Sequence, residues 1–335
     1  MQPSHAAIPQ ISPLFQPFLV THRNVLTAVL VAVCVAWLVQ TACEEPLVVF
    51  TFSLPPLVSV LAALALCAAA TYLMAELDNL YAMVRVSQRV VSTLFFTLLA
   101  SAPAFHTLSA AHLSALCAVL LLFPLFASYQ APQLTVMHFL TFLCVGVSSL
   151  TLPTALLLAL PLWVAQALLR TLSLKGVAAA LLGLLFPYFW IFVGAYCLGQ
   201  TDWLQGQAHE WLASFAWPTH PLSLPLIGPI GITLLLLAAG AVDIIRHSQS
   251  DRTRTRYQNY ALLLLALWAL LWLILQPQLA DHIFPYLATP TAILAAHFLT
   301  LSHGRIASII ALTLSLLLLA ICSINFVAPV LLSGG

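Results

Sequence analysis

The chain has 335 residues, 62% of them hydrophobic and 6% charged, with a net charge of +1. A soluble domain carries roughly 25% charged residues, so a chain with a mean hydropathy of +1.06 lacks the polar side chains to cover a water-facing surface. A soluble globular protein, a disordered chain, a coiled coil and a single-span receptor with a soluble domain are all excluded, since no stretch outside the apolar runs reaches the ~40 residues that an unaided fold needs.

A bilayer span takes roughly 20 mostly apolar residues, and the roughly 208 hydrophobic positions suffice for about ten of them. In chain order, His22-Arg23 precedes an apolar run over 25–39 that ends in Gln40-Thr41-Ala42-Cys43. Gln40 stands where a lipoprotein cleavage site wants a branched apolar residue, so this run is expected to be a retained first helix. Apolar runs bounded by charge, Pro or Gly then predict eleven spans, at 24–42, 47–75, 90–105, 109–127, 134–151, 153–170, 177–198, 225–245, 259–279, 283–301 and 306–329. The fold class expected is all-α, a single polytopic helical bundle over 1–335.

Charge selects the count. Basic residues stay in the cytoplasm, most strictly in short loops. With the N-terminus inside, Arg23, Arg85, Arg89, Arg170, Lys175, Arg246, Arg252, Arg254, Arg256 and Arg305 all fall in cytoplasmic segments or at cytoplasmic helix ends. The acids Glu44, Glu45, Asp202, Glu210 and Asp281 fall outside. One span more or fewer would strand several arginines on the wrong side, so the expected topology is N-inside and C-outside. Pro124, Pro161 and Pro187 sit centrally in their spans, where proline removes a backbone donor and kinks the helix. No internal repeat is evident. Of the seven cysteines, Cys34, Cys67, Cys117, Cys144 and Cys322 lie in apolar runs as small hydrophobes, and Cys43 and Cys197 lie near the same face with their pairing open.

Familiar soluble motifs are missing: no GxxxxGK[ST], HExxH, CxxC pair or GxSxG occurs. Ion-coupled pumps need ionisable groups at mid-depth. Here only Asp243, His138 and His297 approach that depth, and a histidine alone in a span reads first as a packed residue. The outer face is richer. Glu44-Glu45-Pro46 makes a tight acidic turn whose carboxylates suit a divalent cation or a general base, or merely set the turn. In 199–224, the longest loop, Trp203, Leu204, Ala208, Trp211, Leu212 and Phe215 share one half of a helical wheel. This pattern predicts a helix over 202–216 lying in the interface, with its indoles at headgroup level. It serves either as an anchor or as the lid of a site for a lipid-linked substrate. Asp202, His209, Glu210 and His282 complete the outer set of candidate substrate-binding groups. On the inner side, the arginines of 246–260 attract anionic headgroups or a protein partner, or simply anchor the topology. Nucleic acid is not expected, because no broad basic face exists.

Residues 81–190 carry a resemblance. A polar turn ending in Arg89 enters a span that breaks at Ser101-Ala102-Pro103; further on come Gly146-Val147-Ser148-Ser149-Leu150-Thr151-Leu152-Pro153-Thr154, the basic link Arg170–Lys175 and Leu181-Leu182-Gly183. The stretch resembles the central helices of GT-C-type polyprenyl-phosphate-sugar-dependent glycosyltransferases, in which a GxxxLxxP turn between two spans and a basic link recur. It also resembles an uncharacterised family of Bacteroidota polytopic inner-membrane proteins. The glycosyltransferase likeness implies that an acid just after the first span is the catalytic base or metal ligand, and Glu44 and Glu45 match that place. The first outer loop is much shorter than in that class, and the interfacial helix follows the seventh span instead. The resulting expectation is a GT-C-like envelope protein handling a lipid or lipid-linked sugar at the outer leaflet, with a divalent metal if catalytic. The alternative is a non-enzymatic membrane subunit or a transporter.

Overall fold

The computed structural model describes residues 47–49, 52–81, 88–199, 222–247 and 252–301, together with Gly206, Trp211, Phe215 and scattered positions between 313 and 325. Among them the fold is helical apart from one short hairpin. Strands β1 (Leu47–Val49) and β2 (Phe52–Leu54) pair antiparallel, with Val48 opposite Ser53. The second apolar run therefore enters its helix later than its hydropathy suggested. Helix α1 starts only at Pro56 and runs to Tyr81. The reason is local: Val48, Val49, Phe50, Thr51 and Phe52 are β-branched or aromatic, and Pro55 and Pro56 hold the residues before them extended.

The remaining helices are α2 (Gln88–Ser101), α3 (Ala111–Leu120), α4 (Leu122–Ala127), α5 (Thr135–Ser149), α6 (Ala159–Leu168), α7 (Leu174–Cys197), α8 (Leu224–His247), α9 (Thr253–Leu275) and α10 (Ala280–Leu301). Short 3-10 turns at Pro103–Phe105, Pro153–Leu158 and Pro277–Leu279 lead into the helices after them. Among the described residues, four helices, over Leu57–Tyr81, Leu174–Cys197, Leu224–Arg246 and Thr253–Leu275, are long and apolar enough to cross a membrane. The fourth apolar run forms a helix over Ala111–Ala127 with one irregular turn. Between α3 and α4 Leu121 stays right-handed helical, and the ladder lacks only the bond to the Leu120 carbonyl, because Pro124 has no N–H to donate and its ring crowds that oxygen.

The described helices run alternately between two ends of the bundle. Tyr81, at the end of α1, donates to the Phe123 carbonyl of α4 at 2.8 Å. Arg254 lies over the Tyr81 and Tyr129 rings, Arg170 lies over Tyr257, and the Gln130 N–H bonds the Leu169 carbonyl. These contacts gather one end, called here the arginine end. At the opposite end the Leu108 N–H donates to Ser59 of α1, Tyr286 meets Ser148, and Asn325 donates to the carbonyls of Ser101 and Pro225.

Glycine brings two pairs of helices together. An added Cβ on Gly183 of α7 would stand 2.3 Å from the Phe139 carbonyl of α5, and one on Gly146 of α5 would stand 2.8 Å from the Leu184 carbonyl of α7. In α8 a Cβ on Gly240 would lie 2.6 Å from the Leu294 carbonyl of α10. Small residues let backbones approach where side chains of ordinary size would hold them apart. Residue numbers rise together along both pairs, from Phe139–Gly183 to Ser149–Tyr188 and from Gly240–Leu294 to Asp243–His297, so each pair is parallel. Helix α10 is the axis of the bundle. It packs on α2, α3, α8 and α9, and every residue from Ile283 to Leu299 is buried, as expected of a helix that is apolar all round.

The third loop holds a buried histidine. The His106 ring bonds the Ala100 carbonyl at 2.8 Å through Nε2, and burial pushes its pKa down to about 4 against the ordinary 6.5. A depressed histidine pKa means that the unfolded chain binds more protons, so stability is lost as pH falls through the window between 6.5 and 4. Acidification from pH 7 to pH 5 is expected to cost about 2 kcal/mol through this group. A pH series of thermal melts checks it: the acid-side slope should flatten in H106Q, which keeps a donor for Ala100.

Candidate functional site

The turn that carries the glycosyltransferase resemblance is a structural junction. Helix α5 ends at Ser149, and the N–H groups of Thr151 and Leu152 both return to the Ser148 carbonyl before Pro153 starts the next 3-10 turn. Two hydroxyls stand side by side on this turn. The Tyr286 hydroxyl of α10 donates to Ser148 Oγ. Ser149 Oγ donates to the Gly146 carbonyl at 2.7 Å, which leaves the Tyr188 hydroxyl of α7 to donate to Ser149 at 2.6 Å. A buried hydroxyl in an apolar bundle costs free energy unless it is bonded, and here each tyrosine is anchored through a serine of α5. Two neighbouring helices are thereby tied to one turn.

The same turn receives the long loop. Trp211 Nε1 donates to the Ser149 carbonyl at 3.3 Å, the indole meets Tyr188 edge-on at 5.9 Å, and Phe215 continues the stack at 5.4 Å. Trp211 and Phe215 are two of the residues placed on the apolar face of the interfacial helix, and both lie against this end of the bundle. Beside them, Trp272 donates to Gln276 at 3.1 Å, and its ring lies 5.8 Å from that of Tyr286. The tryptophan end is thus held together by buried hydroxyls, an indole and one carboxamide, with Ser148, Ser149 and Trp272 at most 1% exposed, while Tyr188, Trp211 and Phe215 reach its surface.

Of the candidate site residues, Glu44, Glu45, Asp202, His209 and Glu210 lie outside the described residues, as does Cys43. His282 is described: it stands half-buried in the first turn of α10 beside Asp281, and its Nδ1 has no hydrogen-bond partner. Both groups precede the predicted span. Burial raises the Asp281 carboxyl and lowers the His282 ring, each effect opposed by the neighbouring charge. Among the described residues, no three His, Cys, Asp or Glu side chains converge as a metal would require.

Two features escaped the sequence. Asp243 and His297, read separately as scattered ionisable residues, form a pair between α8 and α10, with Oδ2 2.9 Å from Nδ1 and both side chains 5% exposed. No sequence signal pairs them: once the Gly240–Leu294 contact is known, each lies three residues beyond one of its members, on the same face one turn on. At the arginine end, Arg254 also reaches the Phe126 carbonyl at 3.5 Å, and Arg256 lies over Tyr257. The loop arginines thus stitch helix ends together through tyrosine rings as well as marking a side. A small apolar pocket lies deeper, lined by Leu121, Leu158, Leu162, Leu265, Tyr286 and Pro290. Against known proteins, no family model matches the chain, no curated protein matches it in sequence, and no solved structure matches its fold.

Proposed function

We propose that the chain is a multi-pass protein of a bacterial inner membrane, with eleven spans, the N-terminus inside and the C-terminus outside. In this reading its tryptophan end faces the outer leaflet and receives a lipid or a lipid-linked sugar, in a GT-C-like arrangement. The observation that carries the proposal is the seat of Trp211 on the Ser148–Ser149 turn, with Phe215 and Tyr188 edge-on against it. Indoles favour the headgroup layer, and a half-buried indole bonded to the Ser149 carbonyl at the end of α5, beside Tyr188 of α7, supports this reading. An acyl or polyprenyl chain can lie along the Trp211, Tyr188 and Phe215 rings, with the buried serines fixing the ledge from beneath.

The five outer acids and the lack of outer Lys or Arg set the chemistry. A polyprenyl phosphate there requires a divalent cation, and divalent cations require carboxylates. Glu44 and Glu45, the one adjacent acid pair on that face, take the role of catalytic base or metal ligand. Asp202, His209, Glu210 and His282 then hold substrate or complete the metal shell. A second reading, a transporter or a non-catalytic subunit docked to a membrane partner, draws on the Asp243–His297 pair, since buried ionisable pairs also serve ion pathways.

The test replaces both glutamates with glutamine and follows expression, folding and the cell-envelope phenotype of a deletion strain. Cysteine labelling should first find residue 250 inside and residues 205 and 335 outside. The expected result is a folded E44Q/E45Q protein that fails to complement and has lost its divalent-metal response. Full complementation by a stable double variant would end the catalytic reading in favour of the second.

A further inference from the structure

The arginine end contains a group of polar residues that neither topology nor packing explains. Gln166 of α6 and Gln258 and Asn259 of α9 are each at most 2% exposed. Yet both amide atoms of Gln166, both of Gln258 and the Asn259 nitrogen have no hydrogen-bond partner. Buried carboxamides are normally bonded, and each exception calls for a reason.

Their placement follows from the helix register. Helices α6 and α9 are antiparallel: Leu162 and Leu265 line one pocket, while further on Arg170 covers the ring of Tyr257. Gln166 stands one turn from Leu162 on the same stripe of α6, and Gln258 lies seven residues from Leu265 on the same stripe of α9. Both amides therefore sit between the pocket and the arginines, with Gln258 level with Leu169 and Arg170. That level is also where the backbone is strained. Gln130 and Arg170, with φ of 54° and 56°, are the two non-glycine residues in the left-handed region among the described residues, and the Gln130 N–H bonds the carbonyl of Leu169, next to Arg170. Such conformations persist where the surroundings enforce them and gather at binding sites. Arg254, on the same short stretch, reaches the Tyr129 ring next to Gln130. Among the described residues, Arg170 and Arg254 have tyrosine rings and a carbonyl as partners and no carboxylate.

We propose that this is a phosphate-binding site for a hydroxyl-bearing phosphate ester of the glycerol phosphate class. The exposed guanidinium groups of Arg170 and Arg254 hold the phosphate at the mouth, and the carboxamides of Gln166 and Gln258 accept and donate to the hydroxyls behind it. General attraction of juxtamembrane arginines to an anionic surface has no use for buried amides and is served equally by the exposed Arg252. The ligand reaches the site either as a phosphatidylglycerol headgroup from the adjacent leaflet or as free glycerol 3-phosphate. The site is separate from the tryptophan end and stands whether or not that end is catalytic.

The experiment uses the full chain in phosphatidylcholine nanodiscs and reads thermal stability against added phosphatidylglycerol in the bilayer, or against glycerol 3-phosphate or inorganic phosphate in solution. Stabilisation by one of the two glycerol compounds is expected and identifies the source. R170Q/R254Q should abolish it, and Q166L/Q258L should weaken the apparent affinity about tenfold, the loss expected from one or two hydrogen bonds, while R252Q leaves it unchanged. Q166L/Q258L should fold at least as well as the parent, because it removes unsatisfied buried amides. The proposal is overturned if neither compound stabilises the protein, if R252Q loses as much as R170Q/R254Q, or if the stabilising glycerol compound acts equally on parent and Q166L/Q258L. Should the leucine variant fail to fold, R170Q/R254Q, which changes exposed side chains only, still decides between the two outcomes.

Discussion

Replacing Gly183 with alanine should destabilise the protein by about 3 kcal/mol, measured as a shift in the unfolding midpoint of the purified protein. The added methyl would sit 2.3 Å from the Phe139 carbonyl and 3.1 Å from the Leu143 nitrogen. Both are backbone atoms of α5, so no flexible side chain can swing away and relief requires the two helices to separate. Separation would in turn pull Tyr188 from Ser149 and loosen the seat of Trp211. Gly194, on the same helix, is the internal control. Nothing lies within 4 Å of its would-be Cβ, so Gly194→Ala should gain up to about 1 kcal/mol from helix propensity. Equal effects at the two positions would contradict the close α5–α7 contact.

The Asp243–His297 pair should behave as one unit. Removing either partner from a buried, hydrogen-bonded pair costs about 3–5 kcal/mol, so D243A and H297A should each lower stability by that order. The double variant should lose much less than the sum, with a coupling of about 1–3 kcal/mol in a double-mutant cycle. Gly240→Ala should reproduce part of the loss, because a Cβ 2.6 Å from the Leu294 carbonyl forces α8 off α10 one turn before the pair. Additive single effects would show that the two residues act independently. If the pair also serves transport, D243N should impair the activity of the cell more than it impairs folding. A purely structural pair would move both together.

Much of the helix order could be read directly because hydropathy is a local quantity. The turn at Leu152-Pro153 and the break at Ser101-Ala102-Pro103 follow from proline and short polar residues acting on their own neighbours, and the structure has helix ends at both. The hairpin over 47–54 was equally local, but its β-branched, aromatic and proline signals were outvoted by raw apolarity. The irregular turn at Leu121 was also present in the chain, since Pro124 dictates it. Glu44, Glu45, Asp202, His209 and Glu210 remain a constellation drawn from charge and topology alone.

Composition and charge by themselves determined that this is a membrane-type helical protein and which helix ends carry the arginines, because both depend on transfer of side chains between water and hydrocarbon, a property of each segment separately. Only the tertiary structure decided which residues meet. Asp243 and His297 are 54 residues apart in sequence, Ser148 and Tyr286 are 138 apart, and Arg254 and Phe126 are 128 apart. In a chain where Leu and Ala fill most faces, hydropathy does not distinguish one helix neighbour from another. The choice is made by glycine at the contact and by hydrogen-bonding groups that must find partners away from water, and both operate only when two helices are already side by side.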